Sequence, residues 1–516
     1  MRTRDGTIPK RIRLAALLAC LPIAGLAQQE PLSVIDWLAN PAPGTLPGTA
    51  LLEPPVTQSG LTPQIEVTPL EALPMPLGLV STKLTGLPLD LWQGSDPVLL
   101  AERLMRVPVR DNPAMQTLLY TLLLSETRPP YASPQAAETV LLARVDRLMQ
   151  LGAVDPAQAL IQLAGPTASQ ERFRRWFDAT LLTGDEDSSC AALAASPHLA
   201  TDYAALIFCT ARRGDWTSAA LTLETAHALE LLPPEMLSLL DRFLSPEIFE
   251  DLPPPPAPAR PDPLTFRLFE AIGEPLNTSG LPRAFANADL RDLAGWKAQL
   301  EAAERLTRIG ALTPNQLLGL YTQRSPAASG GIWDRVEAVQ QFETALQSGS
   351  AEAVAKTLPI AWAAMRQARL EVPFAQLFAE ALPVLDAPEA AALAWRIRLL
   401  SPGYETAAHD PADISGDRAF LAALARGVPG SVAPPSPQAG AIADGFDSST
   451  ALPPEMEAML SDGHLGEAIL EAMDRFGSGA TGNHDDLSVA LALFRRVGLE
   501  DTARRAALQL MLLTRS

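Results

Sequence analysis

The chain has 516 residues, 47% of them hydrophobic but only 5% aromatic, enough for several cores built mainly from Ala, Leu and Val. Its 40 Lys+Arg stand against 59 Asp+Glu, a net charge of −19. That balance excludes the basic stripe of a nucleic-acid binder and a polybasic lipid-docking patch, and five His with three Cys argue against a multi-metal or disulfide-framework protein.

The first predicted element is a secretory signal over 1–27. A basic stretch, MRTRDGTIPKRIR, leads into LAALLACLPIAGLA, with small residues at Gly25 and Ala27 marking cleavage before Gln28. As a helix the apolar run from Leu14 would cover only ~21 Å, short of a ~30 Å hydrocarbon core. No later segment has a longer apolar run, so no integral membrane span is expected after cleavage. Leu18-Ala19-Cys20 resembles a lipobox, which leaves a lipoprotein anchored through Cys20 as the alternative to a periplasmic protein.

Residues 28–94 are Pro-rich and predict an extended stalk. Within it Ile35, Trp37 and Leu38 form an apolar cluster, read either as a docking motif for a partner or as a clip onto the body.

From Ser95 the apolar spacing becomes helical, as in Val140, Leu141, Val145 and Leu148. Asp96-Pro97, Asn112-Pro113, Ser133-Pro134, Asp155-Pro156, Ser245-Pro246 and Thr313-Pro314 each set a capping side chain before a Pro suited to the first helical position. Gly152, Gly165, Gly184, Gly214 and Gly310 follow helices, where a left-handed residue ends them. Residues 147–164 (RLMQLGAVDPAQALIQLA) and 305–322 (RLTRIGALTPNQLLGLYT) coincide at Arg, Leu, Gly, Ala, Pro, Gln and Leu without a gap. This is either a duplicated unit or a convergent way to build a helical hairpin. The fold class expected is all-α: stacked helical hairpins, an α/α solenoid. A first helical block is placed at 95–250, a polyproline linker at 251–263, a second block at 264–426, a flexible linker at 427–454 and C-terminal helices at 455–516.

Cys190 and Cys209 remain after signal removal, and an exported chain meets an oxidising compartment. With the turn between them near Ser196-Pro197, their offset along a helical hairpin is roughly 9 Å. A disulfide and two buried thiols both stay open.

No motif discloses a chemistry. Gly477-Ser478-Gly479-Ala480-Thr481-Gly482 spells GxGxxG, but a helix precedes it where a dinucleotide site needs a strand, so it reads as a flexible helix–helix loop. Asn483-His484-Asp485-Asp486 and Asp185-Glu186-Asp187 read as capping acids rather than metal ligands. No catalytic residue, cofactor-binding residue or metal ligand is assigned. The loop 325–331 delivers Trp333 and Asp334, read as a recognition lip or, for the Trp, as a helix anchor.

The stretches IDWLA (35–39), RRWFDATLLTGDED (174–187), ANADLRDLAGWKAQLEAAERL (286–306) and PAASGGIWDRVEAV (326–339) resemble a family of exported alphaproteobacterial proteins sometimes labelled antifreeze-glycopeptide-related. That resemblance implies no catalytic residues. The helical pairs are also similar to tetratricopeptide-like repeats, without their regular Trp-Leu-Gly-Tyr pattern. The function expected is an exported, non-enzymatic helical-repeat scaffold or adaptor for an envelope protein or peptide. A glycan-active enzyme or glycan binder on a helical superhelix is the alternative.

Overall fold

The computed structural model of the chain describes residues 75–109, 112–130, 133–291, 293–409 and 416–513. These residues are all-α apart from two isolated β-bridges, Leu77 with Thr127 and Val80 with Ser125. The expected signal segment and most of the expected stalk lie outside them.

The first stack runs α1 (Pro97–Arg106), α2 (Pro113–Leu124), α3 (Pro134–Leu151), α4 (Val154–Ala164), α5 (Gln170–Thr183), α6 (Glu186–Ala195), α7 (Tyr203–Arg212), α8 (Trp216–Ala228) and α9 (Pro234–Leu244). The second comprises α10 (Pro263–Ala271), α11 (Trp296–Thr307), α12 (Pro314–Thr322), α13 (Ile332–Gln347), α14 (Ala351–Gln367), α15 (Glu371–Phe378) and α16 (Pro388–Leu399). The chain ends in α17 (Asp417–Ala425), α18 (Pro437–Gly445), α19 (Pro454–Ser461), α20 (Leu465–Ala480), α21 (His484–Arg496) and α22 (Glu500–Leu513). Most successive helices from α2 to α9 and from α11 to α16 pack on each other, whereas α1 packs on α3 and α18 on α21.

Local chemistry sets most of these starts. Asp96, Asn112, Ser133 and Thr313 each accept backbone N–H groups of the first turn, with Pro next in line, and Thr313 and Gln316 complete a capping box. Two expected caps behave differently. Helix α4 begins two residues early, so Asp155 sits in its first turn and Ala153 takes the cap position without a side-chain bond. Ser245 precedes only a single helical turn and caps nothing.

The packing redraws the expected domains. One apolar core joins α1–α10 to the C-terminal helices, and a second occupies residues 286–400. Residues 75–94 are no stalk: Leu91 and Trp92 are fully buried, and Leu77 exchanges backbone hydrogen bonds with Thr127. The polyproline stretch 251–263 is irregular but divides no core, because Leu239 and Leu240 before it share one cluster with Leu264 and Leu268 after it.

Residues 427–454 are no loose linker either. Ser436-Pro437 caps and starts α18, whose Ala439 and Ile442 are buried as it packs on α21. Helices 455–516 are not a separate unit, for α22 lies against α2, with Asn112 donating to the Ala506 carbonyl at 3.1 Å. The first of these C-terminal stretches forms two helices, α19 and α20, broken at Asp462-Gly463-His464.

Candidate functional site: an arginine-lined cleft

The two cores meet where the self-similar segments meet. Helix α3 ends on Gly152, at φ 87°. A Cβ there would stand 2.7 Å from the Leu306 side chain and 3.2 Å from Arg283 Cβ, so only glycine permits this approach of α3 to α11. Asn287 seals the contact by donating to the Gly152 carbonyl at 2.9 Å. Arg147 and Arg305, equivalent in the two segments, do equivalent work. Arg147 donates to the carbonyls of Met105 and Val107, and Arg305 to those of Thr278 and Leu281. Arg147 thus ties the end of α1 to α3, and Arg305 ties the 3₁₀ turn Thr278–Gly280 and Leu281 to α11.

Beside this junction opens a cleft of about 520 Å³, within the ~300–1,000 Å³ span of ligand sites. Four arginines line it: Arg283 from the 3₁₀ turn Arg283–Phe285, Arg305 and Arg308 at the end of α11, and Arg369 just past α14. Arg305 and Arg308 are three residues apart and so share a helix face. Arg308 donates through Nε to the Ala368 carbonyl at 2.8 Å, which orients its guanidinium. Gln150, Pro282 and Ile309 complete the lining.

The positive groups crowd one another. Burial, followed by the neighbouring charges of Arg283 and Arg308, pulls the Arg305 pKa below its ordinary value. Burial does the same to Arg308; Glu304 opposes the shift, and Arg369 and Arg335 add to it. Behind the cleft Arg147 is lowered chiefly by burial and further by Arg283. Two carboxylates temper this crowding while bonding to other groups: Glu304 accepts from Arg335 and Tyr321, and Asp289, which opposes the Arg305 shift, accepts from Thr278. The cleft wall therefore offers guanidinium and amide donors and an apolar floor, a surface that binds anionic oxygen.

The residues singled out from the sequence fall elsewhere. Ile35, Trp37, Leu38 and Cys20 lie outside the described residues. Cys190 and Cys209 are joined as a disulfide with Cα atoms 4.9 Å apart. The 9 Å offset expected between them came from misplacing the turn. Helix α6 ends at Ala195 and α7 starts at Tyr203, so each Cys sits five or six residues from its end of the connection and the two face each other.

Trp333 is half-buried, its ring 5.2 Å from that of Trp296, and Asp334 accepts the Gly330 N–H at 2.7 Å. The Trp anchors α13 and the Asp closes the preceding loop. Gly477 and Gly479 stand inside α20 rather than in a loop, and a Cβ at Gly479 would lie 2.6 Å from Leu487 Cβ of α21. Asn483 caps α21 as expected, whereas Glu186 is fully buried and accepts from Arg267 and Arg212.

The arginine cleft escaped the sequence reading, except that Arg147 and Arg305 are the first matched pair of the self-similar segments. No protein-family model, curated protein or solved structure matches the chain. Among the described residues no helix is long and apolar enough to cross a membrane.

Proposed function

We propose that this chain is an exported, non-enzymatic helical-repeat scaffold or adaptor that binds a protein or peptide partner in the cell envelope. The observation that carries the reading is the cleft lining: Arg283, Arg305, Arg308 and Arg369 with Gln150, Pro282 and Ile309. These side chains hold a ligand by donor groups and apolar contact, and none of them is a nucleophile or general base at neutral pH. Stacked helical pairs add support, since they present extended surfaces to peptides and proteins. The Cys190–Cys209 disulfide favours an oxidising compartment over the cytosol.

Crosslinking co-purification of the tagged full chain from the envelope fraction, read by mass spectrometry, tests this. Lys297 on α11 and Lys356 on α14 are exposed handles on the helices that lead to cleft arginines. A near-stoichiometric partner crosslinked to them is the expected result. Absence of any partner, together with turnover of a cell-wall substrate, would overturn the reading.

A further inference from the structure

Helices α9 and α10 pack directly on each other, yet 18 residues, 245–262, join them. Connections between packed helices run to about 2–8 residues, and loops beyond about 12–15 are uncommon and usually functional. Spacing two domains is not the purpose here, because the residues on either side share one core. Seven of the 18 are Pro, which makes the added length stiff rather than loose.

The burial pattern shows how this segment lies. Pro255 and Pro258 are half-buried and Pro261 is buried, while Pro253, Pro254, Pro256, Ala257, Ala259 and Arg260 are exposed. A period of three is that of a polyproline II helix, and each residue before a Pro is held in that region. One edge of the helix therefore rests on the body and two face outward. Pro253 and Pro256 share an outward edge, roughly 9 Å apart at ~3.1 Å per residue. Such a ridge keeps its shape before it meets a partner, and aromatic side chains are what pack on it.

A cleft of about 370 Å³ adjoins the ridge at Leu252 and Pro254, with Phe249 and Ile272 continuing the apolar lining. Glu247, Glu250 and Glu274 set three exposed carboxylates on it, none of them hydrogen-bonded or ion-paired among the described residues. The one cation in the lining, Arg242, lies over the Phe249 ring, 5.1 Å from its centroid. Among the described residues no acids converge as metal ligands do. The negative charge is spread, as suits an ammonium or guanidinium on a side chain. A net charge of −19 draws cationic partners to the chain as a whole.

We propose that residues 245–262 form a docking surface for a basic, aromatic-bearing segment of a partner protein. Its aromatic rings pack over Pro253 and Pro256, and its Lys or Arg side chains enter the cleft among Glu247, Glu250 and Glu274. This surface shares no lining residue with the arginine cleft and goes beyond the adaptor reading, which stands without it.

The test is fluorescence anisotropy of a labelled Trp-Lys-Gly repeat peptide titrated with the full chain, beside Ala-Lys-Gly and Trp-Gln-Gly repeats of equal length. The Trp-Lys peptide should bind, more weakly as salt rises, and the other two at least about fivefold more weakly. Pro253→Ala with Pro256→Ala should weaken its binding about fivefold, through lost ring contact and a looser backbone. Glu250→Gln with Glu274→Gln should weaken it about as much by loss of charge. All four side chains are exposed, so both double variants should melt with the parent, and lost affinity then reports the surface and not a damaged fold. Asp386→Asn with Glu389→Gln removes as much charge from exposed positions at the start of α16 and should bind as the parent does.

Equal binding of the Trp-Lys and Ala-Lys peptides would overturn the inference by reducing it to attraction between net charges. Unchanged affinity in either double variant of the surface would overturn it too, as would an equal loss in the Asp386/Glu389 pair. Any of these results would leave the arginine cleft and the adaptor reading standing.

Discussion

Gly466 of α20 donates its backbone N–H to the Leu91 carbonyl at 3.0 Å, bringing two segments 375 positions apart into one buried contact. A Cβ on Gly466 would lie 2.3 Å from the ring of the fully buried Trp92. The beginning and end of the described chain therefore close on each other through a contact only glycine permits. Ala114 and Gln509 repeat the closure, backbone N–H to side-chain oxygen at 2.7 Å.

Gly466→Ala forces the Trp92 ring out of its place. Overpacking of this kind costs about 1–3 kcal/mol, so the urea midpoint should fall with a changed Trp emission. A midpoint equal to that of the parent would place the two segments apart.

The Cys190–Cys209 bond closes a loop of sequence separation 19 between α6 and α7. Cys190→Ser with Cys209→Ser should lower stability by about 3 kcal/mol. Alkylation of the native exported chain without reductant should leave both cysteines unmodified. Labelling at either would contradict the pairing.

Glu186 is wholly buried, and Arg267 and Arg212 both donate to its Oε1, at 2.7 and 3.0 Å. Glu186→Gln removes the charge that two guanidinium groups face. Breaking a buried pair from one side costs about 3 kcal/mol or more, to be read as a lower melting temperature at neutral pH.

Asp178 on α5 is half-buried, and its carboxyl is pushed up to about 7 chiefly by loss of solvent; Asp262 and Asp146 add to the shift, and Arg174 and Arg175 oppose it. A folded pKa above the unfolded one, ~3.9, means the folded state holds the proton more tightly. The stabilising contribution is full below the unfolded value and is lost as pH rises through about 7. Asp178→Asn should therefore flatten the fall in stability over that window and gain on the order of 2 kcal/mol at its alkaline end. Urea midpoints at acid and alkaline pH check both the sign and the size.

Helix starts were legible because a cap and its Pro are neighbours in sequence: Asp96, Asn112, Ser133 and Thr313 satisfy backbone donors within their own first turn. Ser436-Pro437 carries the same signal, and it was masked by the Pro, Gly and Ser around it. What decides that segment is the burial of Ala439 and Ile442 against a helix nearly fifty residues on. The disulfide turned on a few residues of turn length, enough to change the register of a hairpin. The cleft was the least legible feature. Arg283, Arg308 and Arg369 sit in unrelated local patterns, and only the folded chain brings them to one cleft.

The adaptor role depends on whether the cleft arginines hold a partner. Tagged full-length chain and its Arg283→Gln/Arg369→Gly form, crosslinked in parallel in the envelope and compared by quantitative mass spectrometry, address this most directly. A partner near stoichiometric with the parent chain should fall at least about tenfold with the double variant, while the two chains accumulate equally. Equal recovery of the partner with both chains would contradict it.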